Sequence, residues 1–447
     1  MGLSVNRCVN RILLMILLFL PGYLSAQDAV LELDLQKSLR MAMEMNHDIR
    51  IAKLNKLIAD ERVSEAWGDA VSPKIEATAS YNRALKKGVF FIETPFFSGA
   101  IPQGTSNTLG GGLSATQTLF SGSLFIAVRA AELYDEMVSE MYNVTKDELA
   151  VQVKRAYYSV LLMKEVKKLS ESMLATAEEN LKNTQAMYDA GLVAEYDLLR
   201  ARVQVSNLVP QVTEAGKSLK IAENTLKITV GLDLHQEIRV EETMSYRQSV
   251  LPDMQESEQT VRERNPLLRQ LRLETELRDK AISVAQAKYF PELSAVARWD
   301  IQAQEEDERP FDRWRYNNAV YVGVNMRVTL FNGFMTAAKV EQAELEKKIT
   351  EETLLRQEKL LANRLQETVM TMKSQQEKIE SYKMGIEQAE KAYSISKDRF
   401  SSGLATQLEV VDAMTAMTQA KVNYLTGVYE YLMTDAALQQ LLSKEVL

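Results

Sequence analysis

Cysteine and histidine are scarce in this chain, and their scarcity removes several classes of function. One cysteine and two histidines occur in 447 residues, and His47 and His235 are far apart in sequence. A disulfide framework is therefore excluded, and a metal site built on these ligands is not expected. No nucleophile with a base beside it is visible, and the run Gly216-Lys217-Ser218 lacks the leading glycine of a phosphate loop. The sequence predicts no enzyme, no cofactor and no metal site.

Basic residues are not in excess, and long apolar runs are missing after the first segment. Lys and Arg number 53 against 61 Asp and Glu, and the formal net charge is −8. An acidic chain without a basic stripe is not expected to bind nucleic acid. Beyond residue 26 no segment approaches the roughly 20 apolar residues of a membrane-spanning helix. A nucleic-acid-binding protein and a helical membrane protein are therefore both disfavoured.

The first 26 residues have the pattern of a secretory signal peptide. Arg7 and Arg11 precede the apolar run from Ile12 to Leu20, and Ser25-Ala26 supplies the small residues of a cleavage site. The run is too short to span a bilayer. Cys8, the single cysteine, lies within it. We therefore expect an exported chain that carries neither a lipid anchor nor a disulfide.

The chain contains one unit twice. The turn Gly191-Leu192 recurs as Gly403-Leu404, and the strand end at 118–122 recurs as 329–333, at offsets of 212 and 211 positions. A duplication at near-constant offset determines the architecture, because each copy folds as one structural unit. We predict two structural repeats.

Each repeat is predicted to lead from a helix into a β-hairpin. Repeat one covers 27–232 and repeat two covers 233–447. Apolar and polar residues alternate most clearly from Val320 to Leu330, which is the period of a strand with one apolar face. Hairpins are expected over about 74–120 and 292–331, with their connecting loops on the outside at about 85–107 and 302–318.

After each hairpin the pattern changes to helical periodicity. It runs without proline from about Gly122 to Gly191 and from Gly333 to Gly403, which at 1.5 Å per residue predicts helices roughly 100 Å long. Tips at about 188–197 and 400–409 lead into return helices, and the helices pair as antiparallel coiled coils. The predicted fold is mainly α, with a small β part of four transmembrane strands per chain.

Four strands in an exported chain suggest an outer-membrane barrel, because closed barrels are the strand structures that lipid tolerates. Four strands cannot close a barrel, and eight leave an interior filled by side chains. The sequence therefore demands an oligomer, in which three or more copies leave a lumen. The long helices would continue the wall as a tube on the periplasmic side.

The chain resembles the TolC family of outer membrane efflux proteins over essentially the whole mature sequence. The resemblance rests on the duplicated unit, the Leu-Phe-x-Gly strand ends at 119–122 and 330–333, and the tips Gly191–Ala194 and Gly403-Leu404. It implies a homotrimer with a twelve-strand barrel in the outer membrane of a Gram-negative bacterium and a long α-helical periplasmic tunnel. Outer membrane lipid, a periplasmic adaptor and an inner-membrane pump would be its partners.

Acidic residues in the second tip are candidates for a constriction. Glu409 and Asp412 lie three positions apart, so both can face the lumen, and three copies would form a carboxylate ring that favours cations. At the equivalent positions of repeat one, Asp197 and Arg200 can neutralise each other. Thr406-x-x-Glu409 is also a capping box, which leaves open that Glu409 only begins a helix.

The resemblance implies further tip contacts. Asp197 and Arg202 would take part in contacts that hold the tip closed. Phe400 stands where a tyrosine hydroxyl could bond across the tip, and Ala405 where an arginine could form an ion pair. The closing contacts of this chain are therefore expected to differ from those of the family.

The function that these features predict is an exit duct of a tripartite efflux system for drugs or other small molecules. A duct for type I protein secretion is one alternative. A trimeric surface stalk or adhesin is another, since it would also combine long coiled helices with a shared barrel. A stalk needs one barrel-forming segment at the chain end, whereas both hairpins here lie between helices.

Overall fold

The computed structural model describes residues 30–443, and most of them are helical. The predicted signal peptide, residues 1–26, lies outside the described residues. The helices are α1 Leu35–Met45, α2 His47–Val71, α3 Leu124–Asp189, α4 Glu195–Val230, α5 Met254–Arg264, α6 Pro266–Ala287, α7 Met335–Ser401 and α8 Gln407–Leu441. The strands are β1 Leu31–Glu32, β2 Lys74–Arg83, β3 Gly88–Thr94, β4 Phe97–Gln103, β5 Asn107–Phe120, β6 Ile238–Arg239, β7 Glu292–Glu305 and β8 Tyr316–Arg327. No helix in this part of the chain is long and apolar enough to cross a membrane.

Apart from β3 and β4, the two halves of the chain follow the same order of helices and strands, and they begin their second helix in the same way. Asn46 and Asn265 precede α2 and α6, and each side chain accepts a hydrogen bond from the backbone N–H two residues on, at 2.7 Å and 3.1 Å. Such a bond satisfies a donor left free at a helix start. Each amide also donates to the end of its own return helix, to the carbonyl of Thr229 at 2.9 Å and of Leu441 at 3.5 Å. Each asparagine therefore ties the start of one helix to the end of another.

Four strands form one antiparallel sheet in the order β2–β5–β7–β8. Successive side chains of a strand point to opposite faces, so the register assigns every residue to a face. One face is apolar, and one of its rows is Ala77, Leu113, Trp299 and Val320. The other face is mainly polar, and its next row is Thr78, Gly112, Asp300 and Ala319. Within residues 30–443, β2 and β8 pair on one side only, so both edges of the sheet are open.

The segment between β2 and β5 is not the open loop that the sequence predicts over 85–107. It forms its own hairpin, in which β3 and β4 pair over seven residues. Two of the cross-strand pairs are Phe90 with Ile101 and Phe91 with Ala100, so apolar side chains lie on both faces. The period-two alternation that marks a half-buried strand is therefore absent.

The loop between β7 and β8 is shorter than the predicted 302–318, because β7 continues to Glu305 and β8 begins at Tyr316. It is bound to the neighbouring hairpin. Glu306 accepts a hydrogen bond from the Ser106 hydroxyl at 2.6 Å, and Asp307 lies 3.1 Å from the Arg83 guanidinium. These contacts join the hairpins of the two halves at one end of the sheet.

The long helices lie side by side in the order α4–α3–α8–α7. Nearer the sheet, α2 and α6 both pack against α3, and α6 also packs against α7. The largest buried cluster joins α7 to α8 and includes Leu365, Ile379 and Tyr431. Within the described residues α4 and α7 are the outer helices of this layer. The helical layer, like the sheet, therefore has two open edges.

Candidate channel wall and tip

Both long helices end in the same left-handed turn, at the two glycines that the sequence marks as tips. Gly191 has φ 70° and Gly403 has φ 71°. The N–H of the next residue donates to the carbonyl five positions earlier, at 2.9 Å after Gly191 and 2.8 Å after Gly403. This Schellman geometry satisfies carbonyls that a helix end leaves free. Glycine is needed here for its backbone conformation rather than for space, since an added Cβ would meet no atom within 4 Å at either position.

The return helices begin differently in the two tips. At the start of α8, Glu409 N–H donates to Thr406 Oγ1 at 3.4 Å, and Thr406 N–H donates to Glu409 Oε1 at 3.1 Å. This is the reciprocal capping box. At the start of α4, Ala194 has no side chain that can accept such a bond. Glu409 therefore helps to cap the start of α8, and its side chain is still exposed.

The acids of the second tip lie on the outward face of α8. Val410 and Met414 are buried against the rest of the chain, whereas Glu409 and Asp412 are exposed. Asp412 follows the capping box and has no part in it. Both carboxylates are consequently available to solvent or to a neighbouring copy of the chain.

Asp197 and Arg200, which the sequence allows to neutralise each other, form no ion pair within the described residues. The spacing permits an ion pair, but the Arg200 guanidinium lies over the ring of Tyr196, 5.6 Å from its centroid. A cation is attracted to the negative face of an aromatic ring, and a guanidinium stacks on it readily. Asp197 is half-buried in the first turn of α4, where a negative charge is favoured by the helix dipole.

Arg202 joins the two helices of the first tip. Its guanidinium donates to Gln185 Oε1 of α3 at 2.9 Å, and Gln185 donates to Asp189 Oδ1 at 2.8 Å. Arg202 and Asp197 form no ion pair with each other within the described residues. The structure therefore places Arg202 against α3 of its own half and Asp197 in the first turn of α4.

Phe400 and Tyr188 occupy equivalent positions with different environments. The Phe400 side chain is 6% exposed, whereas that of Tyr188 is 37% exposed. The family resemblance implies only that Phe400 lacks the hydroxyl with which a tyrosine could bond across the tip. The structure shows instead that it contributes to the packing of the second tip, and Ala405 beside it is half-buried.

Gln407, the first residue of α8, is a tip residue that the sequence analysis misses. Its side chain is 0% exposed, and neither amide atom has a hydrogen-bond partner among the described residues. It lies three positions before Val410 and seven before Met414, which is the spacing of one helix face. That spacing is the signal that would have placed it in the core.

The sheet has one exposed apolar face and one face that carries charged side chains. On its apolar face Val320, Val322, Val324 and Met326 of β8 are all exposed. On the opposite face Arg298 Nε lies 2.7 Å from Asp300 Oδ1. An exposed apolar face opposite a charged one is the arrangement of a transmembrane β-barrel strand, which is apolar outside and polar inside.

The comparisons agree with this geometry. The family model described as outer membrane efflux protein matches residues 39–232 and 258–444. The outer membrane protein TolC of Vibrio cholerae is 21% identical over 379 residues, which cover 83% of this chain and 82% of the relative.

Two further proteins extend the comparison. The alkaline protease secretion protein AprF of Pseudomonas aeruginosa is 24% identical over 326 residues, 70% of this chain and 67% of its own. The Campylobacter jejuni CmeC outer membrane channel superposes with a TM-score of 0.76 at 16% identity, over 91% of this chain and 85% of that one. Since the family model covers most of the sequence, the chain belongs to the outer membrane efflux protein family.

Proposed function

We propose that three copies of this chain close into a twelve-strand barrel in the outer membrane of a Gram-negative bacterium. The open edges of the sheet carry this proposal. Within the described part of the chain, β2 and β8 each have a row of backbone groups with no strand beside them, and lipid offers no hydrogen bonds to satisfy those groups. Four strands cannot close by themselves, and a barrel of about eight strands has a filled interior. Three copies supply twelve strands and a lumen, the number that the family resemblance implies.

The helical layer supports closure at the same time. Val203 and Ile221 on α4 are exposed apolar residues, and so are Ile349 and Met370 on α7. These helices are the two outer members of the layer, so closing it against neighbouring copies would cover apolar surface along both edges. The result is a helical tunnel that continues the barrel into the periplasm.

The function that this assembly serves is that of an exit duct in a tripartite efflux system. A periplasmic adaptor and an inner-membrane pump would choose the cargo, because a tube without an enclosed pocket has little with which to select it. Drugs and other small molecules are the proposed cargo. The similarity to AprF, whose name describes protease secretion, supports protein export as the second candidate.

The tip is proposed as the constriction of the duct. Glu409 and Asp412 are exposed, so three copies would place six carboxylates around the axis and favour cations. Asp197 and Arg202 are proposed to hold the tips of neighbouring copies together. Arg202 has further N–H donors besides the one bonded to Gln185, and these remain for such a contact.

Two adjacent residues of β8 test the barrel. Val322 and Tyr321 are 82% and 61% exposed in the single chain, on opposite faces of the sheet. A lysine on the lipid face of a barrel costs about 2–4 kcal/mol near the bilayer centre, whereas the lumen face tolerates it. We expect Val322→Lys to reduce the trimer recovered from outer membranes, as counted by native mass spectrometry, and Tyr321→Lys to leave it unchanged. Equal yields for the two variants, or a species other than a trimer in the wild type, would contradict the barrel.

Cargo is tested in cells. Deleting the gene should raise the retention of small toxic compounds and sensitise the cells to them, and restoring it should reverse both effects. If the deletion instead removes a protein from the culture medium and leaves compound retention unchanged, the secretion candidate is correct.

A further inference from the structure

Gln407 is a buried amide without a partner at the start of α8. Its side chain is 0% exposed, and Nε2 and Oε1 both lack a hydrogen-bond partner. Within residues 30–443 it is the one side chain with two such atoms. Buried polar groups in folded proteins are nearly always paired, and an unpaired one keeps the full cost of losing its water. The packed second tip therefore contains an unfavourable group.

Gln407 occupies what is otherwise an apolar position. Val410 and Met414, on the same face of α8, are both buried. Met414 belongs to a cluster with Met173 of α3 and Leu208 of α4. This face of α8 thus packs against the first half of the chain, and Gln407 is its residue nearest the tip.

Two other buried glutamines, both on α7, differ from Gln407 in how many of their amide atoms are paired. Within the described residues Gln375 has one unpartnered atom, Oε1, whereas Gln407 has two. Gln376 of α7 is also buried, at 8% exposed, but its Nε2 donates to the carbonyl of Ser249 at 2.9 Å. Glu195, the equivalent of Gln407 in the first tip, is exposed. The fold thus bonds one buried glutamine and exposes the equivalent residue of the other tip.

We propose that Gln407 biases the second tip toward opening. When the start of α8 moves away from α3 and α4, water reaches the amide and the cost of its burial is removed. The packed tip is disfavoured by that cost, whereas an apolar residue at 407 would favour it. The bias amounts to about tenfold per chain in the equilibrium between packed and open tips. The inference rests on the proposed role of the tip as the constriction of the duct.

Gln407→Leu tests the bias, because leucine removes the amide and keeps much of the volume. We expect this variant to unfold at a higher temperature and, since each of the three copies carries the substitution, to open at least about tenfold less often in planar-bilayer recordings. Gln376→Leu is the matched control. It makes the same substitution at a bonded glutamine, leaves the Ser249 carbonyl without its donor, and is expected to lower the unfolding temperature.

Two results would overturn the proposal. A lower unfolding temperature for Gln407→Leu would show that the amide stabilises the packed tip. A higher unfolding temperature with unchanged opening would show that its cost is not coupled to the gate. A trimer that inserts and never conducts, even with Asp197→Ala and Arg202→Ala combined, would instead refute the duct. The unfolding comparison needs no conduction and would still report whether the buried amide is unfavourable.

Discussion

The first tip, residues 188–197, and the second, residues 400–409, share one backbone turn and differ in the contacts around it. In the first, Tyr188 is partly exposed and Ala194 offers no side-chain cap. In the second, Phe400 is buried, and Thr406 and Glu409 cap the start of α8 reciprocally. The duplicated turn therefore supports two kinds of tip. The second is fixed mainly by its own chain, and the first leaves more of its side chains free for contacts outside it.

The charged side chains of the two tips follow the opposite trend. In the first tip Arg200 lies over Tyr196 and Arg202 is bonded to Gln185, so its basic groups face neighbours in their own half. In the second, Arg399 donates to the carbonyl of Leu404 at the end of α7, where a cation is favoured by the helix dipole. The carboxylates that follow on α8 remain exposed. The second tip therefore combines a fixed backbone with exposed acids.

Removing the aromatic rings gives the largest expected difference between the tips. Phe400→Ala deletes a buried side chain and should lower the free energy of unfolding by about 3 kcal/mol. Tyr188→Ala, at the equivalent but more exposed position, should cost roughly 1 kcal/mol or less. Chemical denaturation of the two variants measures both values. Similar losses would show that the two tips are packed alike, and the difference drawn between them would then be wrong.

Exchanging the caps should give a smaller effect of opposite sign in the two tips. Thr406→Ala removes the capping box and is expected to cost about 1 kcal/mol, because helix-start donors lose their acceptor. Ala194→Thr supplies an acceptor to α4 and should stabilise the first tip by up to about 1 kcal/mol. Thermal unfolding of both variants beside the wild type gives the sign. A loss of stability in Ala194→Thr would mean that the start of α4 is fixed by other contacts.

Neutralising the acids should change ion selectivity with almost no change in stability. Gln at 409 can still complete the capping box, so Glu409→Gln removes charge and keeps the helix start. Asp412→Asn removes the second charge from an exposed position. The double variant should lose cation selectivity and block by multivalent cations, both read in planar bilayers. Unchanged selectivity would show that these residues have no role in the constriction and serve only the start of α8.

The last comparison between the tips concerns Asp197 and Arg202. Either residue changed to Ala should alter the free energy of unfolding by roughly 1 kcal/mol or less, since these are surface groups. The leak conductance should nevertheless rise if they hold neighbouring tips together. Lys217→Ala is a suitable control, because Lys217 forms an exposed pair with Glu214 at 3.2 Å elsewhere on α4. Equal leak in all three variants would exclude Asp197 and Arg202 from the constriction.

Periodicity in the sequence accounts for much of the fold. The alternation around Val322 predicts β8 because one face of that strand is apolar throughout. It fails for β3 and β4, where Phe90 and Phe91 are adjacent and point to opposite faces, so no alternation exists to be read. The two-residue pairing of β1 with β6 joins Leu31 to Ile238 and is too short and too distant in sequence to leave any pattern.

The site was less predictable because side-chain choices depend on neighbours that the sequence does not reveal. The spacing of Asp197 and Arg200 permits an ion pair, but the ring of Tyr196 is also within reach and takes the guanidinium. Glutamine is normally a surface residue, so the spacing from Val410 is the one sequence signal that indicates the burial of Gln407. Backbone requirements were easier to predict, since positive φ favours glycine, as at Gly191 and Gly403.

The proposed duct, in which this chain forms one third of a conducting wall, can be tested by single-channel recording. The protein would be extracted from outer membranes as an intact oligomer and inserted into a planar bilayer under a salt gradient. We expect a small conductance whose reversal potential shows selectivity for cations. Insertion without conductance, even when Asp197→Ala and Arg202→Ala are combined to release the tip, would contradict the proposed duct.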